Sequence, residues 1–258
     1  MPTLLPILPS LHTSVRCLLA AGFLPLLGLT ASWSQTLKPT RVTTPPVIDG
    51  VLTDPAWENA ATVSHFITFH PDFGKVEPET TVVWMAYDAE NLYYAFRCQE
   101  DAALVKTSIA ARDNVRSDDW ICINLDTFGD KQGLTALYVN PQGIQMDSRF
   151  TGNQEDFSID LVWESAGRIT PSGYDIEVRL PLKSVRYPDT DPVTMRVFFE
   201  RYISRRNEHG SYPAMDPKKG FAFLTQMAPM EYSGLEHFTL LEVLPSVVYN
   251  EQDRKSVV

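Results

Sequence analysis

The sequence predicts an all-β fold, a two-sheet antiparallel β-sandwich of jelly-roll-like form. Short runs of strand-forming residues recur along the chain, turn residues separate them, and no segment carries a long apolar stripe of helical period. Many short strands at such spacing indicate two packed sheets or a barrel. The runs are 80–87, 91–98, 120–126, 134–140, 144–149, 160–164, 174–180, 194–203 and 220–225.

Residues 1–34 have the features of a secretory signal peptide. Arg16 is their only formal charge, and an apolar run from Cys17 to Leu29 follows it. Small residues at positions 32 and 34 provide a cleavage site before Gln35. A membrane-spanning helix needs about 20 apolar residues, and this run is shorter and contains a proline. We therefore expect cleavage and export rather than membrane anchoring.

The charge balance of the chain limits the classes of partner. It carries 32 acidic and 22 basic residues, for a formal net charge of −10. Such an acidic protein is a poor partner for nucleic acid or for an anionic membrane surface. Neutral ligands, cations and proteins remain candidates, and the length fits one large all-β domain.

Two cysteines, Cys98 and Cys122, follow the signal peptide, and both lie in predicted strands. An exported protein meets oxidising conditions, which allow a disulfide. Two cysteines do not make a disulfide framework, and cysteine is among the residues most often buried. Two buried thiols are therefore the favoured interpretation, with a disulfide as the alternative.

Residues 46–60 combine a tight turn with one short helical turn. An Asp-Gly pair at 49–50 separates two short apolar pieces, as turn residues do. Asp54 precedes Pro55, the pattern of a helix N-cap followed by proline at the first helical position. We therefore expect Trp57 to point inward from a segment that caps one end of the sandwich.

A charged loop, residues 112–119, leads into the strand-like run 120–126. The apolar residues at 121, 123 and 125 fall on one face of this run, whereas Trp120, Cys122 and Asn124 fall on the other. One face can therefore be buried while the other meets a partner. A charged loop held by a rigid strand is suited to a polar binding site.

Seven segments in the middle of the chain carry a recognisable pattern. They are PVIDGVLTDPAWENA (46–60), TVVWMAYD (81–88), NLYYAF (91–96), ARD (111–113), DDWICINLD (118–126), VNPQG (139–143) and YDIEVRLP (174–181). In order and spacing they resemble the family-9 carbohydrate-binding modules, especially the branch that precedes an outer-membrane β-barrel in larger bacterial proteins. The resemblance covers about residues 44–242, and it implies an all-β sandwich with a glycan-binding role.

These patterns divide the chain into four parts. We predict a signal peptide at 1–34, a linker at 35–43, a family-9-like β-sandwich at 44–244, and the start of a truncated C-terminal region at 245–258. By the resemblance, the native chain continues into an outer-membrane barrel domain, which would be a partner of the sandwich.

We predict that a carbohydrate ligand lies over the 112–119 loop, with Arg112, Asp113 and Asp118 as its polar contacts. Fixed charges are dense in this loop, and a strand anchors its end. Trp163, an aromatic side chain, and Glu177, a carboxylate on the polar face of the 174–180 strand, are further candidate contacts. The alternative is that Arg112 and Asp118 brace the loop against the sheet.

The resemblance also gives positions for the family's own sugar contacts. By alignment they fall near Arg116, at Cys122 and near Tyr138, where this chain has other residue types than the family's tryptophan, glutamate and arginine. The family's sugar contacts are therefore not carried over to this chain.

Catalysis and metal binding are the weaker alternatives. Glycoside hydrolysis needs two suitably spaced carboxyl groups, and the acids at 118, 119, 126, 177 and 200 offer many pairs. Calcium binding is an alternative at Asp126 and Asp130, which lie four residues apart in a turn that does not match an EF-hand loop.

The sequence thus predicts a non-catalytic carbohydrate-binding module of an exported cell-envelope protein, in the periplasm or outer membrane, linked to carbohydrate catabolism. A periplasmic interaction domain without sugar affinity is the second interpretation, and a glycoside hydrolase is the third.

Overall fold

The computed structural model describes residues 35–238 and confirms the two-sheet β-sandwich. The predicted signal peptide and the region 245–258 lie outside the described residues. The strands are β1 (Thr40–Arg41), β2 (Ala61–Val63), β3 (Ile67–His70), β4 (Thr81–Tyr87), β5 (Asn91–Gln99), β6 (Trp120–Asp126), β7 (Gly133–Val139), β8 (Gln145–Thr151), β9 (Gln154–Asp156), β10 (Glu164–Thr170), β11 (Gly173–Pro181), β12 (Val193–Ile203), β13 (Glu208–Tyr212) and β14 (Ala228–Tyr232).

Within residues 35–238 these strands form one sheet of six strands and one of eight. The six-stranded sheet has the order β1-β4-β5-β11-β10, with β2 also paired to β4, and the eight-stranded sheet has the order β3-β13-β12-β6-β7-β8-β9, with β14 also paired to β12. The pair β1–β4 is parallel, and the other pairs are antiparallel. Short helical segments span Pro55–Glu58 (α1), Leu182–Ser184, Ser204–Arg206 and Pro217–Gln226, the last three of 3₁₀ type.

The alternation of apolar and polar residues sets which side of each strand faces the core. The core between the sheets takes Ile121, Ile123 and Leu125 from β6 and Ile176 and Val178 from β11. Their strand neighbours point to the outer faces, as a side-chain period of two requires. Burial of these aliphatic side chains contributes about 1.5–3 kcal/mol each and is the main force that holds the two sheets together.

Three sequence predictions are corrected by the fold. Residues 160–164 do not form a strand, because β10 begins only at Glu164. The predicted strand 220–225 lies inside the 3₁₀ segment Pro217–Gln226. Residues 204–219, which the predicted strands 194–203 and 220–225 leave as a connecting loop, contain β13, which pairs with both β12 and β3. In each of the first two runs one side chain, Trp163 or Leu224, is buried through packing instead of strand pairing.

The N-terminal segment covers part of the outer face of the six-stranded sheet. Asp54 takes the N-cap position of α1 with Pro55 in its first turn, although its side chain makes no capping bond. Trp57 is buried as predicted and packs with Tyr93 and Ala95 of β5. Its indole Nε1 donates a hydrogen bond of 2.8 Å to Oε1 of Glu177.

Replacement of Trp57 by phenylalanine is expected to lower the free energy of unfolding by about 1–3 kcal/mol, because it leaves a buried carboxylate oxygen without its donor. Urea denaturation checks this, with Trp84→Phe as the control, since Trp84 is only half-buried and no bond from its indole is seen in residues 35–238. Equal stability losses in the two variants would show that the bond to Glu177 contributes nothing.

Both cysteines are buried and free, which confirms the favoured interpretation. Burial, above all, raises the pKa of the Cys98 thiol to about 11. Among residues 35–238, no helix is long and apolar enough to cross a membrane.

A buried ionic cluster joins the two sheets at one end of the sandwich. Arg201 of β12 has a fully buried side chain and pairs with the equally buried Glu100 at 3.0 Å. Arg205 also bonds Glu100, and Arg206 pairs with Glu79. The cluster therefore ties β12 and the residues after it to the ends of β4 and β5.

Candidate functional site

The outer face of the eight-stranded sheet carries a continuous group of aromatic side chains, here called the aromatic face: Phe69, Trp120, Tyr138, Tyr202 and His209. The ring centroid of Trp120 lies 5.1 Å from that of Tyr138 and 5.1 Å from that of Tyr202. His209 lies 4.5 Å from Tyr202 and 5.5 Å from Phe69. Trp120 is buried in the middle, and the two tyrosines beside it are partly exposed.

The strand pairing explains why these rings meet. Tyr202 of β12 stands directly opposite both Trp120 of β6 and His209 of β13. Tyr138 of β7 is opposite Cys122, one outward position along β6 from Trp120. Directly opposite side chains on one face have Cβ atoms about 5 Å apart, so four neighbouring strands place their rings in one row.

Polar groups border this row at both ends. The hydroxyl of Tyr138 donates to Oε1 of Glu155 at 2.9 Å, and the hydroxyl of Ser148 donates to the same oxygen at 2.6 Å. At the other end, Glu200 is 2.6 Å from Nδ1 of His209. Burial, the largest cause, raises the pKa of Tyr138 well above its ordinary value. The phenol therefore keeps its proton and acts as a donor.

Cys122 lies under the aromatic face and is not a reactive thiol. Burial, followed by the nearby charge of Glu200, raises the thiol pKa well above its ordinary value. Since the thiolate is the nucleophile, this cysteine is chemically inert in the fold. Next to it on the same face, Asn124 is buried, and no partner for its Nδ2 is found in the described part of the chain.

A strap formed by residues 213–227 covers the remaining part of this outer face. Its Leu224 is buried with Phe198 and Leu134 of the sheet, and Phe223 lies 5.1 Å from Phe150 between ring centroids. Phe221, at the surface of the strap, is 66% exposed. The strap leaves the partly exposed tyrosines of the aromatic face as the part that a ligand can reach.

Asp118, one of the predicted ligand contacts, points into the protein. Its Oδ2 accepts bonds from the backbone N–H and the hydroxyl of Ser108 and from Nδ2 of Asn140. Asp119 similarly accepts from the backbone of Lys106 and Ser204. The observed contacts of Asp118 match the bracing alternative, in which it fastens the loop to the sheet.

Arg112 and Asp113 lie at the surface of the same loop. Nη2 of Arg112 bonds the buried Asp147 at 2.7 Å and the carbonyl of Leu161 at 2.7 Å, and it also pairs with Asp160. The Asp113 side chain is exposed. Both side chains are accessible, so their role as ligand contacts stays a prediction.

The other two predicted contacts lie within the fold. Trp163 is buried in the core between the sheets. Glu177 has no exposed surface, and it lies on the outer face of the six-stranded sheet beneath the N-terminal segment. Besides Trp57, its carboxylate accepts from the backbone N–H groups of Asp49 and Gly50. The five predicted residues therefore do not form one group, and a ligand contact by Glu177 would require the N-terminal segment to move.

The predicted calcium turn is closed by its own backbone. The two carboxylate oxygens of Asp126 accept from the N–H groups of Gly129 and Lys131, each at 2.8 Å. Among residues 35–238, no group of three or more acidic, histidine or cysteine side chains is placed to hold a metal ion.

Comparison with known proteins defines the class of fold. No protein-family model matches the sequence, and curated protein sequences give no significant match. The chain is similar to a Bacteroides uniformis protein with a proposed carbohydrate-binding role, with a TM-score of 0.60 and 12% identity over 76% of this chain and 98% of that one. The domain thus shares its β-sandwich fold with that protein.

A second solved structure is similar in fold. A family-9 carbohydrate-binding module from Caldicellulosiruptor kristjanssonii, solved in complex with glucose, has a TM-score of 0.51 and 17% identity over 80% of this chain and 99% of that one. The chain therefore has a fold similar to that of this module, as the sequence resemblance predicted.

Proposed function

We propose that this chain is a non-catalytic carbohydrate-binding domain that takes its ligand on the aromatic face. The observation that carries the proposal is the row of Tyr138, Trp120 and Tyr202, with carboxylates of Glu155 and Glu200 beside it. Aromatic faces pack against the apolar faces of pyranose rings, and carboxylates accept bonds from sugar hydroxyls. The glucose-bound module of similar fold supports the same class of ligand.

Several contacts favour binding over hydrolysis. A glycosidase needs two carboxyl groups that are free to act on the glycosidic bond. Of the acids considered from the sequence, Asp118, Asp119, Asp126 and Glu177 all accept bonds from the protein's own N–H groups. Glu200, the fifth, is held by His209.

Replacement of Tyr202 by alanine is expected to weaken glycan binding by about tenfold or more, equivalent to about 1.4 kcal/mol, because it removes a partly exposed ring from the row. Affinity electrophoresis and calorimetry with soluble polysaccharides and gluco-oligosaccharides give the affinity. The melting temperature should change little, since the ring is not fully buried.

Phe128→Ala is the matched control. Phe128 is about half exposed in the turn after β6 and lies outside the aromatic face. If both variants bind like the original protein, or if the original protein binds none of the glycans tested, the proposal is wrong.

We also propose that the domain works outside the cytoplasm, in the periplasm or outer membrane, within a larger protein of carbohydrate catabolism that continues into a barrel domain. The support is the signal-peptide pattern of residues 1–34 and the sequence resemblance. Mass spectrometry of the exported protein is expected to place its N-terminus near Gln35. An intact Met1 in the periplasmic fraction would contradict cleavage of a signal peptide.

A further inference from the structure

The outer face of the six-stranded sheet, opposite to the aromatic face, carries a row of three charged side chains. Arg168 of β10 stands directly opposite Asp175 of β11, which in turn stands opposite Arg97 of β5. Tyr174 and Ile176, the neighbours of Asp175, face the core, so the three charged residues all project outward. The row therefore contains two cations and one anion in a chain of formal net charge −10.

Asp175, the anion of this row, forms an ion pair with Arg97, one of the two cations. Oδ1 of Asp175 accepts from Nε of Arg97 at 2.9 Å, and Oδ2 accepts from Nη2 at 2.8 Å. This is the two-bond arrangement that fixes a guanidinium most firmly. The guanidinium of Arg97 also lies over the ring of Trp84, at 5.7 Å from the centroid.

The cationic groups of the row retain unused donors. The Arg97 side chain is 45% exposed, and its Nη1 makes no bond to any residue between 35 and 238. Arg168 is exposed, and the structure of that same part of the chain shows no ion pair for it. After the pair with Asp175 is formed, one unit of positive charge is left at this place.

A pocket of about 300 Å³ opens directly above the row. It lies between the N-terminal turn at residues 50–53 and the β10–β11 hairpin, and Arg97, Arg168 and Asp175 form part of its wall. Gly50, at a φ of +81°, lets the turn approach β10 so closely that a Cβ there would lie 3.1 Å from Cβ of Arg168. The volume is at the lower end of the range for small-ligand sites.

The remainder of the wall is suited to a sugar-sized ring. Leu52 and Pro171 supply apolar surface, and Thr53 and Thr170 supply hydroxyl groups. A pocket with apolar walls and a few convergent polar groups is the usual form of a small-molecule site. The one unpaired positive charge beside such walls suits a ligand with a six-membered ring that carries a single carboxylate.

We propose that this pocket is a second binding site, specific for a hexuronic acid residue of an acidic saccharide, whose carboxylate bridges Arg168 and Nη1 of Arg97. Guanidinium groups match the geometry of carboxylates, and the remaining hydroxyls of the sugar meet the two threonines. The site is on the other sheet from the aromatic face and does not depend on the function proposed for it.

Calorimetric titration of the protein with D-galacturonic acid tests the site. The expected result is binding that weakens with added salt, because the contact is ionic and lies at the surface. Galactose, the neutral analogue, and acetate, the carboxylate alone, are expected to bind at least about tenfold more weakly. Equal binding of acetate and galacturonate, or no binding of galacturonate at millimolar concentration, would overturn the proposal.

Arg168→Gln tests whether Arg168 binds the carboxylate, because the change removes the unpaired cation and leaves the Arg97–Asp175 pair intact. It is expected to weaken galacturonate binding by about tenfold or more. Arg186→Gln, which removes an exposed arginine elsewhere, is the control for net charge and should bind like the original protein. Galacturonate affinity that is unchanged in Arg168→Gln, or equally reduced in Arg186→Gln, would overturn the proposal.

The two sites can be separated by the same set of variants. Tyr202→Ala, the variant of the aromatic face, is expected to leave galacturonate binding unchanged, whereas Arg168→Gln should not affect neutral glycans. Failure of neutral-glycan binding alone would contradict only the proposed function. A loss of galacturonate binding in Tyr202→Ala with an unchanged melting temperature would show that the uronate binds at the aromatic face, and would overturn the second site.

Discussion

Replacement of Arg201 by alanine is expected to lower the free energy of unfolding by about 3–5 kcal/mol, the range for breaking a buried ion pair on one side. Its side chain has no exposed surface, and it lies between the two sheets. Nη2 donates to Oε2 of Glu100 at 3.0 Å and to the carbonyl of Gln99 at 2.9 Å, while Nη1 donates to Oγ1 of Thr81 at 3.1 Å. Alanine would leave these acceptors buried without their donor.

Arg205→Ala is the matched control for Arg201→Ala. Arg205 also bonds Glu100, but about a third of its side chain is exposed. Water can replace its contacts, so a loss of about 1 kcal/mol or less is expected. Urea denaturation with an unchanged m-value gives both differences. Similar small losses in the two variants would show that the buried position of Arg201 does not determine its contribution.

The sequence alone was sufficient to predict the strands in which apolar and polar residues alternate regularly. In β11, Tyr174, Ile176 and Val178 face the core while Asp175 and Glu177 face outward, so both the strand and its two faces could be predicted. Such a pattern suits only one pairing register, because a shift by one residue would expose every apolar side chain.

Two elements could not be predicted because tertiary contacts decide them. Residues 220–225 of the strap resemble a strand in sequence, yet the buried Leu224 and the partly buried Phe223 pack against the outer face of the eight-stranded sheet without strand pairing. β13 has the polar sequence EHGSY, and it forms a strand because β12 offers it a free edge. A short stretch of sequence shows neither the packing of the strap nor the free edge of β12.

The candidate site was only partly visible for the same reason. The outward position of Trp120 was predicted from the alternation in β6, but its partners Tyr138, Tyr202 and His209 come from three other strands. The outward alternation of Phe198, Glu200 and Tyr202 in β12 was the signal that could have added the second strand. The inward direction of Asp118 depends on Ser108 and Asn140, which no periodicity relates to it.

The titration of Glu77 is expected to make the protein less stable as the pH rises from 4.5 to about 7. Burial is the largest cause that raises the pKa of this carboxyl from 4.5 to about 7. Thr81 donates to its Oε2 at 3.2 Å, whereas Oε1 is buried and has no partner in the described residues. The backbone of Gly210 lies so close that a Cβ there would be 2.1 Å from Oε1.

The sign follows from the protons bound in each state. Between pH 4.5 and about 7 the folded protein holds a proton on Glu77 that the unfolded chain has released. The stabilisation is therefore complete below pH 4.5 and is lost as the pH rises through about 7. One pKa unit corresponds to about 1.4 kcal/mol, so the effect is on the order of 3 kcal/mol. Arg201 and Arg206 oppose this upward shift and Glu208 adds to it.

Glu77→Gln isolates this effect, because glutamine keeps the shape of the side chain and does not titrate. The variant is expected to lose the fall in stability between pH 4.5 and about 7, and above that range it should be more stable than the original protein. Glu79→Gln is the control in the same loop. At Glu79, burial alone would raise the pKa, but the bonds and charge of Arg206 outweigh burial and lower the pKa. Removal of this acid should therefore destabilise the protein at neutral pH.

Urea denaturation at several pH values gives the stability curves of the original protein and of the two variants. Parallel curves for the original protein and Glu77→Gln would show that Glu77 titrates alike in the folded and unfolded states.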